Sequence, residues 1–165
     1  MDRAARIRAR PGEHRAVAII GGDALVAEAV SDHVRSLLPG YLIDVRTSNG
    51  HTAKPWFDGR ADFSPQVKDL STQGFELVGG RLDVLDGKQL AALVYERNLH
   101  TINLFQWPDS GATQNPLQTR DGYHVLEWNA AGRHFVAVSS VAENDLRAFE
   151  RACRAMPPAA GEAAH

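Results

Sequence analysis

Cysteine is nearly absent from this chain of 165 residues, and its absence excludes two classes of site. Cys153 stands alone, so the chain can form no intramolecular disulfide and no CxxC metal or redox pair. The seven histidines show no H-x-x-x-H or H-x-H spacing. Because zinc takes three or four converging ligands, a metal site could arise only where folding brings together separate residues such as His51, His100 and His124.

An excess of positive charge and a long hydrophobic run are also lacking. The formal net charge is −2, which argues against general electrostatic binding to nucleic acid or anionic lipid. A membrane-spanning helix needs roughly 20 mostly apolar residues, whereas the run Ala16–Ile20 ends at Gly21. That run is also short for an export signal, and no clear A-x-A cleavage site follows it. We therefore expect neither an export signal nor a membrane anchor in this sequence.

The composition is that of one globular domain with unfolded ends. Apolar residues make up 44% of the chain and charged residues 23%, which is typical of globular proteins. The five arginines among residues 1–22 indicate a flexible basic lead-in. The Ala/Gly-rich residues 157–165 indicate a disordered tail. Residues 23–156 are left as a single folded domain.

Helical spacing of apolar residues occurs at both ends of this domain. It predicts one helix from Asp23, as N-cap, to Leu38, and a second from Glu143 to Met156. A short helix is also predicted over 65–70, with Val67 and Leu70 facing inward. The residues expected to face the core are Val26, Val30, Val34 and Leu37 in the first helix, and Leu146, Phe149, Cys153 and Met156 in the last.

Between the two long helices the apolar period changes to two, which is typical of β-strands. Strands are predicted within 74–85, 90–97, 101–107, 123–128 and 134–139, and the stretch 109–121 is predicted to be a loop. Tight turns are predicted at Asp86–Gly87, Asn98–Leu99 and Ala131–Gly132. Such short links require antiparallel neighbours. The sequence therefore predicts an α+β fold, an antiparallel sheet of about five strands with an N-terminal and a C-terminal helix on one face.

Catalytic motifs are missing. There is no G-x-S-x-G elbow, and Ser139 and Ser140 stand where a strand ends, so we expect them to be structural. Cys153 lies on the apolar side of a predicted helix, where cysteine acts as a small hydrophobic residue. We expect no enzyme activity and no cofactor. The large aromatic residues, Trp56, Phe57, Trp107 and Trp128, admit two interpretations, core packing or a binding patch.

Several stretches, in order, are similar to one known family. They read HTAKPWFDGR from His51, PQVKDL from Pro65, GFELVGGRLDVLDG from Gly74, AALVY from Ala91 and HTINLFQWP from His100. They resemble the extracytoplasmic part of bacterial transmembrane anti-sigma factors, and the resemblance extends over about 23–156.

The resemblance implies a non-catalytic sensor or regulatory domain on the periplasmic side of the inner membrane. In that family a cytoplasmic zinc-finger-like segment holds an extracytoplasmic-function sigma factor inactive, and one transmembrane helix joins it to the outer domain. Neither segment is recognisable before Asp23, so we do not expect this chain alone to inhibit a sigma factor. The expected partner is a protein rather than nucleic acid, and the expected interaction patch comprises Lys54, Trp56, Phe57 and Trp107. The alternative is a small metal- or ligand-binding periplasmic sensor with His51, His100 and His124 as candidate ligands.

Overall fold

A seven-stranded antiparallel sheet forms the centre of the computed structural model, which describes residues 22–111 and 116–155. The strand order is β1-β2-β3-β4-β7-β6-β5. The strands are β1 Val45–Arg46, β2 Glu76–Leu85, β3 Lys88–Arg97, β4 His100–Pro108, β5 Gln118–Arg120, β6 Tyr123–Ala130 and β7 Arg133–Ser139. The helices are α1 Gly22–Ser36, α2 Gly50–Phe57, α3 Glu143–Ala155 and a 3-10 turn, Ser71–Gln73. The α+β prediction is confirmed. The predicted lead-in, apart from Gly22, lies outside the described residues, as do Met156 and the predicted tail.

The predicted hairpins are present because their turns have the backbone twist that antiparallel strands need. Both residues of Asp86–Gly87, Asn98–Leu99 and Ala131–Gly132 have positive φ, between 47° and 74°. This is the geometry of type I′ turns, which match the twist of the flanking strands. The turns fix the register of the long strands, as where Leu85 pairs with Lys88.

The sheet has two strands more than the five predicted, and both lie at its edges. β1 has two residues and β5 has three, which is too short for an alternating pattern to show. β5 falls within the stretch predicted to be a loop. β1 lies so close to β2 that a Cβ on Gly79 would be 2.2 Å from the Val45 carbonyl oxygen. Gly79 therefore permits the edge pairing.

Helices cover both faces of the sheet, so the prediction that they share one face is wrong. α1 packs on one face, here the α1 face, through Val26, Ala29 and Val30. α2 and α3 pack on the opposite, α3 face. The reason lies in the sheet, because neighbouring residues of β3 are buried without interruption from Leu90 to Tyr95. A strand that is apolar on both sides needs cover on both sides.

The α3 face contains the larger apolar core. Phe149 of α3 packs edge-on against Phe75 and Tyr95, each with its ring centroid 5.2 Å away. No helix forms over 65–70, contrary to prediction, because the Gln66 backbone bonds to the Gln106 side chain instead, at 2.7 and 3.0 Å. Val67 and Leu70 are buried as expected. Among the described residues, no helix is long and apolar enough to cross a bilayer.

Candidate interaction site

The residues predicted to form one patch lie on different parts of the molecule. Asn49 caps α2, and its side chain accepts a hydrogen bond from the Thr52 amide at 3.0 Å. α2 leaves Lys54 and Trp56 half-buried but buries Phe57 completely. A Cβ on Gly80 would come within 2.9 Å of the Phe57 ring, so Phe57 fills the space that this glycine leaves. Phe57 belongs to the core, which corrects its assignment to an exposed patch.

Trp107 is separated from α2 by the sheet itself. It packs on the α1 face, where its ring lies 4.6 Å from the ring of His134. The His134 ring has two further polar neighbours. Its Nε2 is 3.2 Å from the Glu127 carboxylate, and its Nδ1 is 3.0 Å from Asn129 Oδ1. The His134 and Glu127 side chains are only 5% and 4% exposed. A substrate could not reach this pair, so its role is structural.

The three candidate histidine ligands do not converge. His51 is exposed on α2, His100 is exposed at the start of β4, and His124 is half-buried on β6. Within residues 22–111 and 116–155, no three His, Cys, Asp or Glu side chains are grouped to hold a metal ion.

The serine and cysteine side chains considered for catalysis have structural surroundings. Ser139 Oγ donates to the Thr101 carbonyl at 2.7 Å and accepts from the Val141 amide at 3.1 Å. Burial raises the pKa of the Cys153 thiol to about 12, so the nucleophilic thiolate does not form near neutral pH. Ser140 Oγ is 3.1 Å from His100 Nδ1, but both side chains are exposed.

The C-terminal part of α1 buries polar side chains where apolar ones were predicted. Val26 and Val30 are buried as expected, but Val34 is 45% exposed, and Leu37 is 47% exposed because α1 ends at Ser36, before the predicted Leu38. The side chains that face the sheet there are Asp32, His33 and Ser36, each at most 3% exposed. The inward residues keep helical spacing, so polar residues replace apolar ones along the same side of the helix.

Arg81 of β2 is the centre of the polar contacts below α1. Its guanidinium group donates to Asp32 at 3.0 Å, to Asp83 at 2.9 Å and to Asn103 Oδ1 at 2.6 Å. It also donates to the Leu42 carbonyl at 2.9 Å. The Arg81 side chain is 5% exposed. Such a charge is stable inside a protein only because it is paired and hydrogen-bonded.

Asn103 continues these contacts toward α1. Its amide nitrogen lies 2.5 Å from His33 Nδ1 and donates to Ser36 Oγ at 3.1 Å. Because an amide nitrogen can only donate, His33 Nδ1 accepts, and the ring proton is on Nε2. Burial, with Arg81 nearby, lowers the pKa of His33 to about 4. His33 is therefore neutral at pH 7.

Two carboxyl groups share Arg81, and their pKa values move in opposite directions. Burial, and next the contact with Asp32, raise the pKa of Asp83 to about 6. Burial also acts against ionisation of Asp32, but hydrogen bonds from Asp83, Arg35 and Arg81 hold the pKa of Asp32 below its usual range. Asp32 therefore stays ionised, and Asp83 is the first of the two carboxyl groups to be protonated as the pH falls.

Asp32, Arg81 and Asp83 line an open cleft of about 200 Å³. We call it the Asp83 cleft, and its lining includes Asp32, Arg35, Tyr41, Asp44, Arg81 and Asp83. Large apolar side chains are exposed beside it. We call them the α1 surface, which comprises Val34 of α1 together with Leu37, Leu38 and Tyr41 from the turns that follow the helix, all between 45% and 61% exposed. Tyr41 belongs to both.

Sequence reasoning missed this site, although two local signals were present. Helical spacing from Val26 also leads through Ala29, Val30, His33 and Ser36. A helix that turns this side inward competes with one that turns Val34 and Leu37 inward. Asn103 also stands out as a polar residue within the run Ile102–Phe105.

No protein-family model and no curated protein sequence matches this chain.

Proposed function

We propose that this chain is a non-catalytic regulatory domain of the anti-sigma factor type, acts on the periplasmic side of the inner membrane, and works by contact with a protein partner. The support from the sequence is the ordered series of stretches from His51 to Pro108 that resemble that family. The support from the structure is that these stretches assemble a single unit. Phe57 of the first lies against Gly80 of the third, and Arg81 of the third binds Asn103 of the last.

The observation that carries the proposal is the α1 surface. α1 turns Asp32, His33 and Ser36 inward and leaves Val34 exposed, and Leu37, just after the helix, is exposed as well. This arrangement gives up burial of apolar area. Adjoining exposed apolar side chains are typical of sites where another protein binds. Contact with a partner would bury these side chains, and it requires no catalytic group.

An enzyme is the competing interpretation, because paired carboxyl groups with divergent pKa values can serve proton transfer. No histidine is among the described residues that line the cleft, and the hydroxyl groups there are those of Ser36 and Tyr41. Ser36, its hydroxyl-bearing residue on α1, already donates to the His33 carbonyl at 2.7 Å, and His33 Nδ1 faces Asn103. The Ser36 hydroxyl and His33 Nδ1 are therefore both engaged in hydrogen bonds within the protein.

Transcript profiling tests the proposed function. The whole chain would be exported to the periplasm of its source organism by an added signal peptide, with an empty-vector strain as control. We expect a coherent group of genes that share one extracytoplasmic-function promoter element to change, because excess domain competes for the partner. An unchanged profile, with the exported protein present and folded, would contradict the proposal.

A further inference from the structure

The Asp83 cleft has more acidic than basic groups. Asp32, Asp44 and Asp83 line it against Arg35 and Arg81. When all three carboxyl groups are ionised, one negative charge is therefore left over. The imbalance lies on the side of the cleft that is open, because Asp32 is 4% exposed, whereas Asp83 is 17% exposed and Asp44 is on the surface.

The two arginines cannot move to correct this imbalance without breaking other contacts. All three guanidinium nitrogens of Arg81 have partners, and its Nη1 serves both Asn103 and the Leu42 carbonyl. Arg35 donates to Asp32 at 2.7 Å. A further cation that entered the cleft would meet Asp83 and Asp44 and would relieve the repulsion between neighbouring carboxylates.

The apolar side chains beside the cleft set a second requirement for a ligand. Val34 lies in the last turn of α1, and Leu37 and Leu38 follow in tight turns, in which the Leu37 amide donates to the Val34 carbonyl and the Leu38 amide to the Arg35 carbonyl. The three exposed residues therefore lie close together at the end of the helix. Tyr41 connects them to the cleft, since it is 61% exposed and also lines it. A ligand that covers this region must bring apolar groups as well as a positive charge.

We propose that the α1 surface and the Asp83 cleft together bind a peptide segment of a partner protein in which a lysine or arginine is flanked by apolar side chains. The cationic group enters the cleft and pairs with Asp83 and Asp44, while the apolar side chains cover Leu37 and Leu38. The inference rests on the proposed function in so far as the occupant is a protein, and it adds the chemistry of that protein.

A second copy of this chain fits the site less well. A symmetric dimer through this region would place identical patches against each other. Each copy would then bring the same excess negative charge to the interface, and like charges in contact oppose association. Sedimentation of the protein at increasing concentration separates this outcome from peptide binding. A dimer that Leu38→Ser disrupts would overturn the assignment of the occupant.

Selection from a phage library of short random peptides, on the whole chain at pH 7, tests the ligand chemistry. We expect enrichment of sequences with a lysine or arginine next to leucine, isoleucine or aromatic residues. Enrichment of acidic sequences, or no enrichment over an uncoated surface, would contradict the proposal. This outcome is independent of transcript profiling, since the profile can change even when the peptide chemistry is wrong.

Synthetic copies of the enriched peptides then locate the site by calorimetry. Leu38→Ser and Asp83→Asn should each weaken binding by about tenfold or more, as for central contacts of an interface. The matched control is Leu99→Ser, because Leu99 is fully exposed at a hairpin turn, and it should leave the affinity unchanged. Equal loss in all three variants, or no loss in the first two, would place the peptide elsewhere.

The pH dependence of binding supplies a readout that a structural defect would not give. Asp83 has a pKa of about 6 and faces Asp32 and Arg35 of α1, Arg81 of β2 and Asp44 before β1. Protonation removes the charge that the peptide cation meets, so affinity should be roughly tenfold weaker at pH 5 than at pH 7. Asp83→Asn should flatten this dependence, and an unchanged slope in that variant would refute the pairing.

Discussion

The two faces of the sheet are both covered by helices, but they are built from different chemistry. On the α3 face, Phe149 and Leu146 are fully buried in the larger apolar core, whose buried polar groups include the hydrogen-bonded pair Gln66 and Gln106. On the α1 face, apolar contact ends after Val30, and Arg81 holds the rest of the helix through polar groups. We therefore expect the α3 face to provide most of the stability, whereas the α1 surface, beside the opposite face, is the proposed binding region.

The largest expected effect is on the α3 face. Phe149→Ala removes a ring that is fully buried between Phe75 and Tyr95. We expect it to lower the free energy of unfolding by roughly 3–5 kcal/mol, because both the burial and the close packing are lost. Urea denaturation followed by tryptophan fluorescence measures the change. A loss below 1 kcal/mol would show that the comparison of the two faces is wrong.

The next largest effect concerns the buried charge on the α1 face. Arg81→Met removes the cation shared by Asp32 and Asp83 and should cost about 3 kcal/mol, because two partly buried carboxyl groups lose their partner. The matched control combines Arg81→Met with Asp32→Leu and Asp83→Leu, which removes the buried charges together. Arg35 also loses its contact with Asp32, but its side chain is 61% exposed. We expect this triple variant to regain most of the lost stability in the same assay. If it were less stable than the single variant, packing rather than charge would be the main role of Arg81.

A smaller effect is expected from pH, where two groups on the α1 face act in opposite directions. The pKa of His33 falls to about 4 on folding, so its stabilising contribution is complete above pH 6.5 and is lost as the pH falls toward 4. The pKa of Asp83 rises to about 6, so ionisation destabilises the fold, and stability is gained as the pH falls from about 6 toward 3.8. The two contributions offset one another in the intact protein.

Variants should separate these two contributions. In the His33→Gln variant, the free energy of unfolding should increase as the pH is lowered from 6.5 to 4, by about 1–2 kcal/mol after allowance for solvent screening of Asp83. With Asp83→Asn, stability should fall over the same range, because the His33 contribution remains alone. Urea denaturation at a series of pH values measures both slopes. Parallel slopes for the two variants would contradict the assignment.

Much of the sheet could be predicted because its signals are local. The turn dipeptides, such as Asp86–Gly87, specify type I′ geometry by themselves. From Ile102 to Phe105, successive side chains point to opposite faces of the sheet, which follows from the pleat of a strand. The two edge strands could not be predicted, because β1 depends on the close approach that Gly79 allows. α2 was also missed, since its eight residues include Pro55, which is unusual inside a helix.

The candidate site could not be predicted because it depends on contacts between residues distant in the chain. Which side of α1 faces the sheet is decided by Arg81 and Asn103, which lie 49 residues from Asp32 and 70 residues from His33 respectively. Without those partners, burial of Asp32 and His33 would be unfavourable, and the apolar side through Val34 is the reasonable choice. Phe57 was misassigned for a similar reason, because the space it occupies is created by Gly80.

The most direct test of the account compares stability and function in one variant, Leu37→Ser combined with Leu38→Ser. Both side chains are about half exposed, so the free energy of unfolding should change by less than about 0.5 kcal/mol for each site. In the transcript-profiling experiment, the same variant should lose the response that the unaltered domain produces. A full response from this folded variant would contradict the central claim that the α1 surface binds a partner.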